Sequence, residues 1–203
     1  MKLLIATTNP GKLHEFTEFL SDLPIELVSL KDIHISDAPE ETGATYEDNA
    51  ILKAKYYAQL SGLPVIADDG GFEIDALGGE PGVHSHRWIH KDREDTDEEL
   101  IAHAMDRMKG IESGKRGAQL RTVIAFAGPN GEVHMSEGVI RGVIPETPST
   151  VRKAGFPYRS LLYLPEIQKF YNHDELTPEE TERYNHRKQA LIKLKPIIKS
   201  LLS

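Results

Sequence analysis

The chain has 203 residues, no cysteine and a formal net charge of −8. A chain of this size buries roughly 70% of its unfolded surface, as one large domain or two packed lobes, so it needs no structural metal or disulfide to fold. The missing cysteine excludes disulfides and thiolate metal sites. The acidic balance argues against a broad nucleic-acid footprint, and no apolar run approaches the ~20 residues that span a membrane.

Lys2 to Thr7 reads as a short buried strand broken by Asn9-Pro10-Gly11. The helix that follows spaces Leu13, Phe16 and Leu20 on one face, and Ile25 to Ser29 reads as a second strand. Ser36 to Gly43 is acidic and loop-like. Thr45 with Asp48 starts a helix whose inner face carries Ala50, Ala54, Tyr57 and Ala58 and which ends at Gly62. Pro64 to Asp68 is a further apolar strand, expected to stop at the carboxylates Asp68 and Asp69. Glycines then crowd the segment from Gly70 to Gly82, which implies tight turns or close backbone packing.

Thr96 with Glu99 is a capping box for a helix with Leu100, Ile101, Ala104, Met105 and Met108 inward. Ala118 to Phe126 alternates as a long strand, Pro129-Asn130-Gly131 makes a hairpin turn, and Glu132 to Ser136 returns. Thr177-Pro178 starts a helix. A final helix turns Ala190, Leu191, Leu194, Ile198 and Leu201 inward, with a kink expected at Pro196. Strands alternating with helices around a long hairpin predict a mixed α/β sheet, here read as one domain over residues 1–203. The opening Met1-Lys2-Leu3-Leu4-Ile5-Ala6 is too short for a signal-peptide core, so the expected location is the cytoplasm.

Two features carry chemistry. A strand, a Gly-Lys turn and a helix start at Thr7-Thr8-Asn9-Pro10-Gly11-Lys12 present helix N-terminal amides, hydroxyls and a cation to an anion. Taken alone, the segment reads more readily as a plain turn with a solvated lysine, and it lacks the longer Gly-rich loop of a P-loop. Asp68 and Asp69 offer hard oxygens of the kind Mg²⁺ takes alongside substrate phosphates, and Glu40 or Glu41 could add a ligand. A solvated acidic turn is the equal alternative for the Asp pair.

Read together, the segments resemble one family. Ala6 to Phe16 (ATTNPGKLHEF), Glu40 to Lys55 (EETGATYEDNAILKAK) and Leu63 to Trp88 (LPVIADDGGFEIDALGGEPGVHSHRW) are similar to the non-canonical purine nucleoside triphosphate pyrophosphatases, the Ham1-like inosine and xanthosine triphosphatases. Weaker matches follow at Glu137 to Ile144, Gly155 to Tyr158, and from Asp174 to Leu191. The resemblance implies an elongated mixed β-sheet with flanking helices, two lobes around a central cleft, and a homodimer. It implies Mg²⁺-dependent hydrolysis of dITP, ITP or XTP to the monophosphate and pyrophosphate, with no nucleic-acid or membrane partner. On the matching positions Thr7, Thr8, Asn9, Gly11 and Lys12 would hold the triphosphate. Glu40 and Asp69 would bind the metal, and Asp69 would also be the base. Lys53, Gly70, His186 and Arg187 would contact substrate, and Phe156, Tyr158 and Arg159 would lie at the base. A solvated lysine is the alternative for Lys53, and a capping or core histidine for His186.

The departures cluster. Gly70 stands where the family has Ser, so a hydroxyl is lost although the amide remains. Gly155-Phe156-Pro157-Tyr158-Arg159-Ser160 replaces the family's G-F-G-Y-D-P, and Pro157 removes an amide. Thr181 and Glu182 stand where the family has a Lys, Asn185 replaces the Ser before the His-Arg pair, and Lys188 replaces the Gly after it. An Arg can pair bidentately with purine O6 and N7, so Arg159 reads either as a base contact or as a surface or phosphate-contacting arginine. Phe156 could stack on the base. Three functions follow: pyrophosphatase for ITP, dITP and XTP; pyrophosphatase with a shifted base preference; or non-catalytic nucleotide binding. The retained Glu40 and Asp69 rank the last lowest.

Overall fold

Side-chain caps decide where the helices begin. In the computed structural model, which describes residues 1–172 and 174–202, Asn9 caps α1 (Pro10–Phe19) and Thr45 caps α2 (Tyr46–Ser61). Thr96 and Thr177 cap α3 (Asp97–Arg107) and α4 (Pro178–Arg183), each in a complete capping box with the Glu three residues on. The hydroxyl takes an otherwise orphaned amide and the carboxylate returns to the cap amide, so the sequence marks these starts directly. Gly62, at φ 67°, ends α2 in the left-handed region where a side chain is strained. α5 runs His186–Leu202 with Pro196 inside it. Leu201 packs half-buried against the core as expected, and Leu202 beside it is buried as well.

The strands are β1 (Lys2–Ile5), β2 (Glu26–Ser29), β3 (Val65–Ile74), β4 (Gly117–Ala127), β5 (Val133–Val143), β6 (Tyr163–Leu164) and β7 (Lys169–Phe170). They form a mixed sheet in the order β2-β1-β3-β4-β5-β6-β7. β1 pairs in parallel with β2 and β3, whereas β5–β6 and β6–β7 are antiparallel. The α/β expectation therefore holds. No helix among the described residues is long and apolar enough to cross a membrane.

Two strands run further than their sequence suggests. β3 does not stop at Asp68 but continues through Asp69, Gly70 and Gly71 to Ile74. Glycine is a weak strand former, so the pair reads as a terminus, yet neither Gly70 nor Gly71 takes a positive φ and both stay extended. β5 likewise continues past Ser136 to Val143. Asp68 and Asp69 still lie beyond the parallel pairing, because β1 matches β3 only at Val65 and Ile66 and ends at Ile5. The carboxyl end of a parallel strand, where a helix begins, is a ligand position in open α/β sheets.

The chain divides into two compact units, Met1–Asp69 with Thr122–Gly138 and His186–Ser203, and Gly70–Arg121 with Val139–Asn185. The first has a core of Phe16 and Leu20 of α1, Ile66, Phe126, and Leu191 and Leu194 of α5, all fully buried. The second buries Phe72, Leu100, Met108, Leu161 and Tyr171. Each such side chain contributes about 1.5–3 kcal/mol relative to an exposed one.

The capping box of α3 makes an acid-sensitive element. The bidentate guanidinium of Arg93, at 2.6 and 3.0 Å, and then the amide and hydroxyl of Thr96 hold the Glu99 carboxyl at about 2, against an ordinary 4.5. A depressed carboxylate favours the fold above its unfolded value and loses that contribution as pH falls through its folded one. Melting temperature should therefore fall between pH 4.5 and about 2, less steeply in Glu99→Gln than in the parent chain. Thermal melts across this range check it, and parallel acid limbs would contradict it.

Candidate active site

Successive side chains of a strand point to opposite faces, and β3 uses this to separate its two carboxylates. Asp68 meets α1 and α5. Its Oδ2 lies 3.0 Å from Lys12 Nζ and 3.3 Å from Arg187 Nε, and the side chain is 1% exposed. Asp69 meets α2, where Asn49 Nδ2 donates to Oδ2 at 3.1 Å and Lys53 Nζ lies 3.3 Å from Oδ1. Thr122 of β4 donates to the Asp69 carbonyl at 3.2 Å.

The two acids have opposite acidity. Burial would push the Asp68 carboxyl up, but Lys12 and then Arg187 outweigh it and hold the group well below the usual carboxylate range. Burial also pushes Asp69 up. Lys53 only partly opposes it and Glu41 adds to the rise, so Asp69 titrates above its usual value. Lys53 stays charged: burial works against its ammonium, but Asp69 and Glu41 overcome that.

The structure places the expected residues as follows. Thr7 and Asn9 are half-buried and Thr8 is exposed at the start of α1. The amides expected to be free are partly spoken for: Asn9 Oδ1 accepts from the amides of Gly11 at 2.9 Å and Lys12 at 3.1 Å, and Thr7 Oγ1 accepts from the Asn9 amide. Lys12 is not solvated but paired with Asp68, and Lys53 is not solvated but shared between Asp69 and Glu41, whose Oε1 is 3.0 Å away. Glu40 is exposed, and the carboxylate that joins Asp69 at Lys53 is that of Glu41. Arg187 is buried, bonded to Glu15 and Asp68, and His186 beside it is buried at the start of α5. Gly138 lets that turn approach, since a Cβ there would run into the His186 carbonyl.

In the second unit Gly70 is half-buried in β3. Tyr158 is a core residue, stacked on Phe72 at 4.7 Å and donating its hydroxyl to the Ser85 carbonyl at 2.6 Å. Arg159 is 3% exposed, which overturns the surface alternative. Its guanidinium lies 4.1 Å from the centre of the half-buried Phe156 ring and 5.3 Å from that of Tyr171. Such cation–π contacts strengthen when desolvated.

Three contributors escape a reading by motif: Glu15, Asn49 and Thr122. Asn49 and Lys53 do leave a trace, as polar residues on the stripe that Tyr46, Ala50, Ala54 and Tyr57 bury. Thr122 interrupts an apolar alternation in the same way.

A divalent cation fits the first unit. Around Asp68 and Asp69, among the described residues, three cations (Lys12, Lys53, Arg187) face four carboxylates (Glu15, Glu41, Asp68, Asp69). A triphosphate would therefore arrive where the positive charge is already matched. Lys53 shows that Asp69 and Glu41 share one cation, and their oxygens are the hard donors Mg²⁺ prefers. His90, Asp95 and Glu99 also converge, within 4.8 Å of one another. Their acceptors are filled, Asp95 by the amides of Ile89 and His90 and the His90 ring, Glu99 by Thr96 and Arg93. That cluster is a loop-and-helix cap.

Known proteins similar to this chain are numerous. The Ham1 family matches residues 3–197. A dITP/XTP pyrophosphatase of Thermus thermophilus is 42% identical over 191 residues, 94% of this chain and 88% of that protein. One of Bacillus subtilis is 38% identical, over 97% and 96% of the two chains. The structure of a HAM1 protein from Coxiella burnetii superposes with a TM-score of 0.84 at 34% identity, covering 98% of this chain and 99% of that one. The Staphylococcus aureus Ham1 protein gives 0.83 at 30% identity, with the same coverage. The match extends over nearly the whole length, and the chain belongs to the Ham1 family.

Proposed function

We propose that this chain hydrolyses dITP, ITP and XTP to the monophosphate and pyrophosphate with Mg²⁺, clearing deaminated purines from the cytoplasmic nucleotide pool. The observation that carries the reading is the Asp68–Asp69 pair: one carboxylate fixed by Lys12 and Arg187, its neighbour buried with raised pKa beside Lys53 and Glu41. Relatives at 38–42% identity that bear the name dITP/XTP pyrophosphatase support it. The resemblance also carries a homodimer, which light scattering on the purified protein tests, and a single pyrophosphatase domain whose two units share β3, β4 and β5.

Hydrolysis adds water across the anhydride joining the α and β phosphates. The anhydride bond breaks, and the water proton passes to a base. We assign that role to Asp69, a buried carboxylate oriented by Asn49 and Lys53. When bound by Asp69 and the Glu40–Glu41 loop, Mg²⁺ would supply charge neutralisation of the phosphate oxygens and acidify water. Thr7, Thr8, Asn9 and Gly11 bear hydroxyl, amide and carboxamide donors for the phosphates, and Lys12, Lys53, His186 and Arg187 bear the cationic or imidazole groups. Binding there requires Lys12 and Arg187 to share their charge between Asp68 and phosphate. Gly70 offers its amide.

In the second unit Arg159 backs the Phe156 ring. We read Arg159 as a support that holds Phe156 for stacking on the base, in preference to a direct reader of O6 and N7, because its guanidinium is buried against two rings.

Pyrophosphate release measured across ITP, dITP, XTP, GTP and ATP with Mg²⁺ should favour the first three. Asp69→Asn should lower kcat by about 10²- to 10⁴-fold, the usual contribution of a general base. No release from any triphosphate would sink the enzymatic reading, and full activity in Asp69→Asn would remove the base assignment. Arg159→Ala should raise KM for ITP and XTP and narrow their preference over ATP. Arg159→Lys should not restore the preference, because an ammonium cannot stack as the planar guanidinium does. Unchanged base ratios in both variants would remove Arg159 from base selection.

A further inference from the structure

Asn49 stands in the first turn of α2, where a buried carboxamide needs a reason. It is 2% exposed. Its Oδ1 accepts from the Gly43 amide at 2.8 Å and its Nδ2 donates to Asp69 Oδ2 at 3.1 Å. The orientation of the carboxamide follows from its partners. Gly43 offers only an N–H and Asp69 only carboxylate oxygens, so a flipped amide would place donor against donor and acceptor against acceptor.

Both sides of the contact are built for it. At Gly43 an added Cβ would fall 2.5 Å from Asn49 Oδ1, 2.7 Å from Asp48 Cβ and 2.9 Å from the Asn49 amide, so only glycine lets the acidic loop come this close. On the helix, Asn49 and Lys53 are four residues apart and share a face. Each takes one oxygen of Asp69, Asn49 at Oδ2 and Lys53 at Oδ1. Lysine carries a long flexible stem, whereas asparagine has two torsions. The short arm therefore sets the plane of the Asp69 carboxylate.

We propose that Asn49 is a positioning residue: it fixes the carboxylate of Asp69 and, through Gly43, the loop bearing Glu40 and Glu41, so that both acidic elements are held in one spacing for the divalent cation. It acts through the Asp69 carboxylate and the Gly43 amide that it holds. This rests on the pyrophosphatase reading above, although its effect on metal binding does not require turnover.

The test uses Asn49→Ala, Gly43→Ala, their double variant and Asn49→Asp in the full chain. Asn49→Asp preserves volume and the acceptor for Gly43 but replaces the donor with an oxygen facing Asp69. Each is read by pyrophosphate release at varied Mg²⁺ and by calorimetric titration with Mg²⁺ alone. Expected are an Mg²⁺ half-saturation raised about fivefold or more and kcat lowered about tenfold or more. KM for nucleotide at saturating Mg²⁺ should stay within about threefold, and the double variant should be no worse than the poorer single one, as for residues acting as a unit. A purely structural asparagine would lower the melting temperature and leave both Mg²⁺ readouts within twofold of the parent, and that result overturns the proposal. Should Asn49→Ala not fold, Asn49→Asp and Gly43→Ala decide on the same readouts. If the parent chain releases no pyrophosphate, the functional reading fails, while the calorimetric comparison still judges Asn49.

Discussion

A single buried negative charge organises the first unit. Taking a carboxylate out of water costs several kcal/mol unless cations replace the lost solvent. Asp68 finds them in Lys12, one turn into α1, and in Arg187, at the start of α5. Arg187 in turn binds Glu15, back on α1, so the charge closes a ring through β3, α1 and α5. Apolar packing brings the same two helices together through Phe16, Leu20, Leu191 and Leu194. Hydrophobic contact is non-directional and tolerates small rotations. The ion pairs do not, and they set which face of each helix turns toward the carboxyl end of β1.

The neighbouring residue uses the opposite face for the opposite purpose. Asp68 is over-supplied with cations and holds its charge across the ordinary pH range, whereas Asp69 is under-supplied and accepts a proton more easily. Two adjacent carboxylates thus divide between a fixed charge and a more readily protonated group. Strand pleating makes the division possible, because one residue of separation carries a side chain to the other side of the sheet.

The fold was legible where local chemistry acts alone. Thr96–Glu99 and Thr177–Glu180 mark helix starts because a cap is a contact within four residues, and the stripes of α2 and α5 mark their buried faces. The end of β3 is hidden in the sequence because its two glycines look like a stop, whereas the strand lies between β1 and β4, both distant in the chain, and runs on to Ile74. The candidate site divides in the same way. Lys12, Lys53, Asp69 and Arg187 lie in motif segments, and the structure brings them to one pair of acids. Glu15 does not stand out in sequence, and Asn49 and Thr122 show only as polar residues in apolar patterns, since their meaning comes from partners far along the chain. Arg159 was visible as a departure from its family, but whether a guanidinium faces solvent or lies between two rings is a property of packing.

The first unit is woven from three separate stretches of chain, and α5 comes last of them. During synthesis β1, α1 and the Asp pair leave the ribosome long before Arg187 does. Until then Asp68 lacks Arg187, and the apolar faces of α1 and the sheet lack the helix that covers them. Contacts between such distant segments are slow to close, because the entropy of ordering the intervening loop must be met first. Docking of the final helix is therefore the step that brings Arg187 to Asp68 and covers the apolar face of α1 with Leu191 and Leu194.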